Sequence, residues 1–298
     1  MLDNLSTGHR WATSDFEFTE GDILNTETLA RAMKGVDAVC HFAAKIVVSE
    51  SVQDPSAYWK NNVDGTASVL RAMHRTGVKR LVFSSTAAVY GMPEHSVRLI
   101  AEDHPCRPIN PYGMGKLQAE RLIAQWVESG LGKAIAFRYF NAAGALPEAG
   151  LGEAHEPETH LIPNVLRALV TSNDGAGFQL YGTDYPTPDG SCIRDYVHVV
   201  DIAKAHISGL DALEGSLRSL EICNLGSGGG YSNLEVIKAC ETMVGRVLNY
   251  EVMSRREGDP AMLVSSHEKA TSLLGWRPAN SQLETIIESA LQWHRYYG

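Results

Sequence analysis

Brief apolar, β-rich runs alternate with longer helical runs along the first half of the chain, and this alternation restricts the fold more than any other feature. DAVCHFAA (37–44), RLVFSS (80–85) and KAIAFRYFN (133–141) are short and largely apolar. A strand with one wet face alternates apolar with polar residues; a nearly continuous apolar run suits a parallel strand covered on both faces. Between these runs, 58–75 and 113–130 carry helical spacing. Pro111 sits where the second would begin, a position that needs no backbone N–H. The β-α-β-α order implies an α/β fold with a doubly wound, Rossmann-type parallel sheet.

Past residue 145 the texture changes. Gly, Pro and acidic residues crowd 146–160, a helix is expected over 161–172, and 173–190 reads as a loop rich in Gly, Asp and Pro. A strand-like EICNLG (221–226), a helix from about Ser232 and a closing amphipathic helix from Ser281 follow. We therefore expect the sheet domain over 1–145 and a smaller C-terminal α/β lobe over 146–298, some of whose segments return to the first domain. A chain of 298 residues is long enough for both.

Other features narrow the possible partners. No stretch approaches the roughly 18 continuous apolar residues of a membrane span, and no signal peptide opens the chain, so no membrane partner and a cytoplasmic location are expected. The five cysteines are scattered singly without a C-x-x-C pair, which suggests neither a zinc site nor a disulfide framework. A net charge of −9 argues against a nucleic-acid surface. Any anionic ligand must then be met by a local cluster of arginines.

The stretch NPYGMGKLQAE (110–120) places Tyr112 and Lys116 four residues apart, on one face of the expected helix. A phenol near pKa 10 is a poor base at neutral pH, but a nearby cation favours the phenolate. Tyr-x-x-x-Lys can therefore deprotonate a hydroxyl. Upstream, SSTAAVYG (84–91) directly follows the strand RLVF. A hydroxyl run at a strand's carboxyl end lies where open α/β sheets bind ligands, and Thr86 could pass a proton between a substrate and Tyr112.

With these residues in place the chain resembles the UDP-glucose 4-epimerases of the extended short-chain dehydrogenase/reductase family. Matching stretches run along nearly its whole length: LDNLSTG, GDI (21–23), HFAA (41–44), ESVQDPSAYWKNNVDGT (50–66), FSSTAAVYG, NPYGMGK, FRYFNAAGA (137–145), YGTDYPTPDGSCIRDYVHV (181–199) and RREGDPA (255–261). The Tyr-x-x-x-Lys element marks only the superfamily, whereas the last two stretches are far more specific.

The resemblance implies Tyr112 as base, Lys116 as its electrostatic partner and ribose contact, and Thr86 as the hydroxyl bonded to the sugar O4. The cofactor implied is NAD. Asp3 and Asn4 would meet its adenosine ribose, and Asp22 and Ile23 would line the adenine. Phe42, Ala43 and Ala44 would pass along its backbone, with Asn61, Ser84 and Phe140 nearby. In the second lobe Asn141, His160, Leu161 and Tyr181 would hold the UDP group with Arg194, Arg256 and Asp259. The reaction implied is C4 epimerisation of UDP-hexoses through a 4-keto sugar that turns over before reduction. A related UDP-sugar epimerase, acting on N-acetylhexosamines or pentoses, remains an alternative, as does an inactive UDP-sugar-binding protein. A 4,6-dehydratase would want an acidic pair after the catalytic Thr, where Ala87 and Ala88 stand. Family members also imply a homodimer, through helices such as 58–75 and 113–130.

Three features depart from the pattern or imitate one. The chain opens MLDNLSTG, like the end of a strand, where the resemblance expects a preceding Gly-rich β-α segment. Lacking that segment, the chain is expected to hold NAD poorly and to present an open sheet edge. In LGSGGGYSN (225–233), Gly226 and Gly228 fit G-x-G-x-x-G but Tyr231 takes the third position. HEPETH (155–160) is not H-E-x-x-H, since Thr159 replaces the second His and Pro157 would break a helix, so no metal is expected. The assigned roles predict that Tyr112→Phe lowers turnover by orders of magnitude with substrate affinity little altered, measured as separate kcat and KM.

Overall fold

The apolar runs become neighbouring parallel strands. The computed structural model describes residues 1–94, 97–171, 177–215, 217, 219–256 and 258–296. Its strands are β1 (Leu2–Asp3), β2 (Thr19–Glu20), β3 (Val39–His41), β4 (Arg80–Thr86), β5 (Lys133–Tyr139) and β6 (Asn141–Ala143). They continue with β7 (Phe178–Tyr181), β8 (Ile193–His198), β9 (Glu221–Leu225), β10 (Gly230–Ser232), β11 (Tyr250–Met253) and β12 (Met262–Leu263). The helices are α1 (Thr26–Ala32), α2 (Val48–Gln53), α3 (Pro55–Trp59), α4 (Gly65–Thr76) and α5 (Pro111–Glu128). Next come α6 (Leu161–Thr171), α7 (Val199–Glu214), α8 (Asn233–Val244), α9 (Glu268–Leu274) and α10 (Leu283–Tyr296). The chain divides into two compact units. One comprises Met1–Gly91, Glu102–Tyr139 and Ala205–Asn224; the other comprises Met92–Ala101, Phe140–Lys204 and Leu225–Gly298.

In the first unit the order is β3-β4-β5-β9, while β1 and β2 pair with each other. β4 runs parallel to both neighbours, with Phe83 opposite His41 on one side and Ala136 on the other. Leu81, Val82, Phe83 and the run Ala134–Phe137 are essentially without solvent exposure. Helices α1, α4 and α5 close over one face with Val69, Met73, Ile123 and Trp126. Each such large side chain contributes about 1.5–3 kcal/mol of burial. The helix read at 58–75 is in fact interrupted: α3 passes through a π turn, Lys60–Asp64, into α4.

One charge pair lies inside this unit. Arg138 on β5 meets Glu120 on α5 at 2.7 Å, with the two side chains 4% and 3% exposed. Ser85 Oγ donates to the same carboxylate at 2.5 Å, and Arg138 donates to Tyr90 Oη at 2.9 Å. Tyr90 in turn donates to Asn224 Oδ1 at 2.7 Å. These bonds tie β4, β5, α5 and β9 together.

In the second unit β8 is central. β10 pairs with it antiparallel, β12 and β6 parallel, and β7 pairs separately with β11. Helices α6, α8 and α10 cover a core that includes Leu166, Val236, Ile286 and Tyr196. The segment 173–190, read as loop, contains β7; its residues 173–176, and 172 of the expected helix, lie outside the described residues. The glycines of LGSGGGYSN wrap a carboxylate belonging to the protein itself. Fully buried Asp195 accepts from the amides of Ser227, Gly228 and Ser265 and from both serine hydroxyls. A Cβ at Gly226 would stand 2.4 Å from Asp195 Oδ2.

Removing one partner of a buried ion pair strands the other charge at a cost of about 3–5 kcal/mol, whereas replacing both by apolar groups is often neutral. Glu120→Met alone should therefore destabilise the chain by about that amount in urea unfolding. The double variant Glu120→Met/Arg138→Met should recover most of the loss.

Candidate active site

The amino end of α5 is built to lie against the end of β4. Asn110 caps the helix, its side-chain oxygen accepting from the Gly113 amide at 2.8 Å, and Pro111 takes the first helical position. Gly113 permits close approach: a Cβ there would stand 2.6 Å from the Ala88 carbonyl oxygen. Ala88 belongs to the 3-10 turn Ala87–Tyr90 that follows β4, and the Thr86 hydroxyl accepts from its amide at 3.2 Å. This approach sets the Tyr112 phenol beside the Thr86 hydroxyl, close enough for the hydroxyl to act on its titration.

One turn further on, Lys116 is 3% exposed and its Nζ donates to the Ser84 carbonyl at 2.8 Å. Burial pulls its pKa down to about 7, against the opposing pull of the Glu120 carboxylate one turn beyond. Burial pushes the Tyr112 phenol above its ordinary value, only partly offset by Thr86. The sign is opposite to the sequence expectation. The ammonium is itself desolvated, which displaces it toward the neutral amine. A stable phenolate needs a further positive charge beside it.

Apart from Phe140, which lies in the second unit, the remaining residues expected at the cofactor fall into two groups within this unit. Asn4 Nδ2 donates to Asp22 Oδ2 at 3.2 Å across the ends of β1 and β2, and Asp3 Oδ1 accepts from the Leu5 amide at 2.6 Å. Ile23 differs, because its side chain is buried in the core beneath Gly65. Phe42, Ala43 and Ala44 follow β3, and the Phe42 ring, 54% exposed, stacks on His206 at 4.6 Å. Asn61 donates to Asn62, which clasps both backbone groups of Lys45. The sequence reading missed His206 and its 2.7 Å bond to Tyr139 Oη; no local spacing links residues so far apart. His41 is a packing residue, bonded to Thr66 at 3.1 Å and kept neutral by burial and by Lys116, which bring its pKa to about 3.

In the second unit, the residues expected at a nucleotide gather in part. Arg194 on β8 pairs with Asp259. The Arg256 guanidinium lies 4.2 Å over the Tyr181 ring, and the Asp259 amide bonds the Arg256 carbonyl at 3.3 Å. Asn141 starts β6 opposite Tyr196 of β8, and Leu161 starts α6. His160 Nδ1 is held by Glu153. Phe140 is buried, its amide bonded to the Leu225 carbonyl.

The model of the NAD dependent epimerase/dehydratase family matches residues 1–226. The UDP-glucose 4-epimerase of Lacticaseibacillus casei is 44% identical over 99% of this chain and 88% of that protein. The solved UDP-glucose 4-epimerase from Brucella ovis in complex with NAD is 42% identical, with a TM-score of 0.91 over 97% of this chain and 88% of that one. The enzyme from Bifidobacterium longum, solved with NAD+ and UDP, is 35% identical, with a TM-score of 0.90 over 99% and 90%.

Two outcomes test the geometry. Gly113→Ala should leave the circular dichroism spectrum unchanged and lower turnover about 100-fold, because an ångström of misplacement costs that much. Lys116 titrates at about 7 when folded against an ordinary 10.5. Between those values the unfolded chain binds more protons, so this group makes stability rise with pH. Urea unfolding across that window should show Lys116→Met losing the rise.

Proposed function

This chain belongs to the NAD dependent epimerase/dehydratase family, and on that premise we propose that it interconverts UDP-glucose and UDP-galactose by inverting C4 of the hexose. The observation that carries this reading is the close approach of Gly113 to Ala88, which sets Tyr112 beside Thr86 with buried Lys116 one turn beyond.

The donor set suits NAD at two places. Asp3 and Asn4 would take the adenosine ribose diol, beside Asp22, and an acid there repels a 2′-phosphate, so NAD is favoured over NADP. Lys116 and Tyr112 would hold the nicotinamide ribose. NAD held there would supply the acceptor and donor of the C4 hydride and a positive ring that favours the phenolate.

The protein's own residues handle the proton and the nucleotide. The Thr86 hydroxyl accepts the proton of the sugar 4-hydroxyl while passing its own to the Tyr112 phenolate. Lys116 stabilises that phenolate, and Glu120 one turn beyond favours the charged amine. Arg194 and Arg256 present guanidinium forks suited to a diphosphate. Asn141, Leu161, Tyr181 and Asp259 complete the UDP-holding set. Binding concentrated on UDP anchors the substrate far from C4 and leaves the hexose free to turn either face to the Thr86–Tyr112 pair. A two-fold assembly through the first unit's helices accompanies this reading, supported by exposed Trp59 on α3 and Met114 on α5. Light scattering at the mass of one 32.5 kDa chain would refute it.

Purified chain supplied with UDP-galactose should form UDP-glucose and release NAD when denatured. Tyr112→Phe should lower the rate by roughly 10²–10⁴-fold, the range expected of acid–base catalysis. No conversion by the unaltered chain, even with NAD added, would overturn the proposal.

A further inference from the structure

The segment leading into α6 gathers two carboxylates and two imidazoles. One ligand atom from each of Glu153, His155, Glu158 and His160 lies within 4.8 Å of the others. His155 Nδ1 stands 3.1 Å from Glu153 Oε1 and 3.8 Å from Glu158 Oε1. His160 Nδ1 stands 3.5 Å from Glu158 Oε1 and nearer still to Glu153 Oε1. Four ligands at about 2.0–2.1 Å from a tetrahedral Zn²⁺ are about 3.3 Å from one another. The observed gaps bracket that edge length.

Two atoms of the cluster lack an ordinary partner. The Glu158 side chain is 1% exposed. Its Oε1 accepts from the amides of Thr159 and His160 at 2.7 and 2.8 Å, while the buried Oε2 has no hydrogen bond. His155 Nδ1 is also buried and makes no hydrogen bond, despite its closeness to the Glu153 carboxylate. An unsatisfied buried acceptor costs about 1–3 kcal/mol, more when charged, and a cation bound by this carboxylate offsets that cost. The surrounding backbone is anchored: Trp293 on α10 donates to the Glu153 carbonyl at 2.8 Å, and Asn164 on α6 donates to the Glu158 carbonyl at 3.2 Å.

We propose that Glu153, His155, Glu158 and His160 bind one zinc ion in a closed, four-coordinate structural site. Two imidazole nitrogens with two carboxylate oxygens suit zinc, whereas calcium and magnesium want all-oxygen shells. Four protein ligands leave no open position for a substrate, so the ion fastens the segment 153–160 to the start of α6. The sequence reading expected no metal because it sought two histidines one helical turn apart. Here a loop curls the ligands together, and Glu153 lies outside the HEPETH stretch.

The test uses the full chain, stripped by chelator and titrated with Co²⁺ and then Zn²⁺. One Co²⁺ per chain should give the visible bands of a four-coordinate ion, Zn²⁺ should displace it, and zinc should raise the unfolding temperature. His155→Asn and Glu158→Gln should each weaken zinc binding at least about 100-fold, beyond what loss of an outer-shell partner costs, and abolish the temperature rise. If Glu158→Gln does not fold, His155→Asn decides. Failure to take up metal, equal uptake of Mg²⁺, or undiminished zinc binding in a folded variant would overturn the proposal.

Discussion

A lysine amine sealed against the carboxyl end of β4 is the contact on which the rest of the first unit's site depends. Lys116 can donate to the Ser84 carbonyl only because α5 starts hard against the turn after β4. That placement also sets Thr86 against Tyr112 and puts Glu120 one turn below the amine. Burial has two effects here. It strengthens the electrostatic coupling among the groups, and it charges each ionised form a desolvation penalty. Phenol and amine are both displaced toward their neutral forms, so ionising the phenol calls for an added positive charge beside it.

Buried carboxylates fasten the scaffold around these functional groups. Glu120 joins Ser85 to Arg138, Asp195 gathers the glycine loop and Ser265 onto β8, and Asp201 holds Asn280 and Ser281 at the approach to α10. Each satisfies several donors at once, which makes burial of its charge tolerable and makes its geometry demanding. Arg194 lies next to Asp195 in sequence, so the strand that presents a guanidinium is held from the adjacent position.

Strands β3, β4, β5 and β9 and helices α4, α5, α6, α8 and α10 were legible because their signals are periodic and local, whereas α1, α2, α7 and α9 were not read. Continuous apolar runs marked β4 and β5, and Pro111 marked the start of α5. The capping box of Ser232 and Glu235 begins α8 where the sequence reading placed a helix. β7 was not legible, since four residues amid Gly, Asp and Pro carry no periodicity, and its pairing with β11 lies far along the chain. The glycines at 226–230 resembled a phosphate loop because the same small residues serve any close approach to an anion, and here that anion is Asp195.

The sequence by itself determined the α/β order and the i,i+4 placement of Tyr112 and Lys116, since both follow from residues near one another in the chain. Only the tertiary structure decided the partners: Thr86 with Tyr112, Glu120 with Arg138, Tyr90 with Asn224, and Glu153 curled onto His155 and His160. It also decided the direction in which the phenol and the amine are displaced. Such properties depend on which side chains lose their water together, and that is set by packing between segments that sequence spacing does not connect.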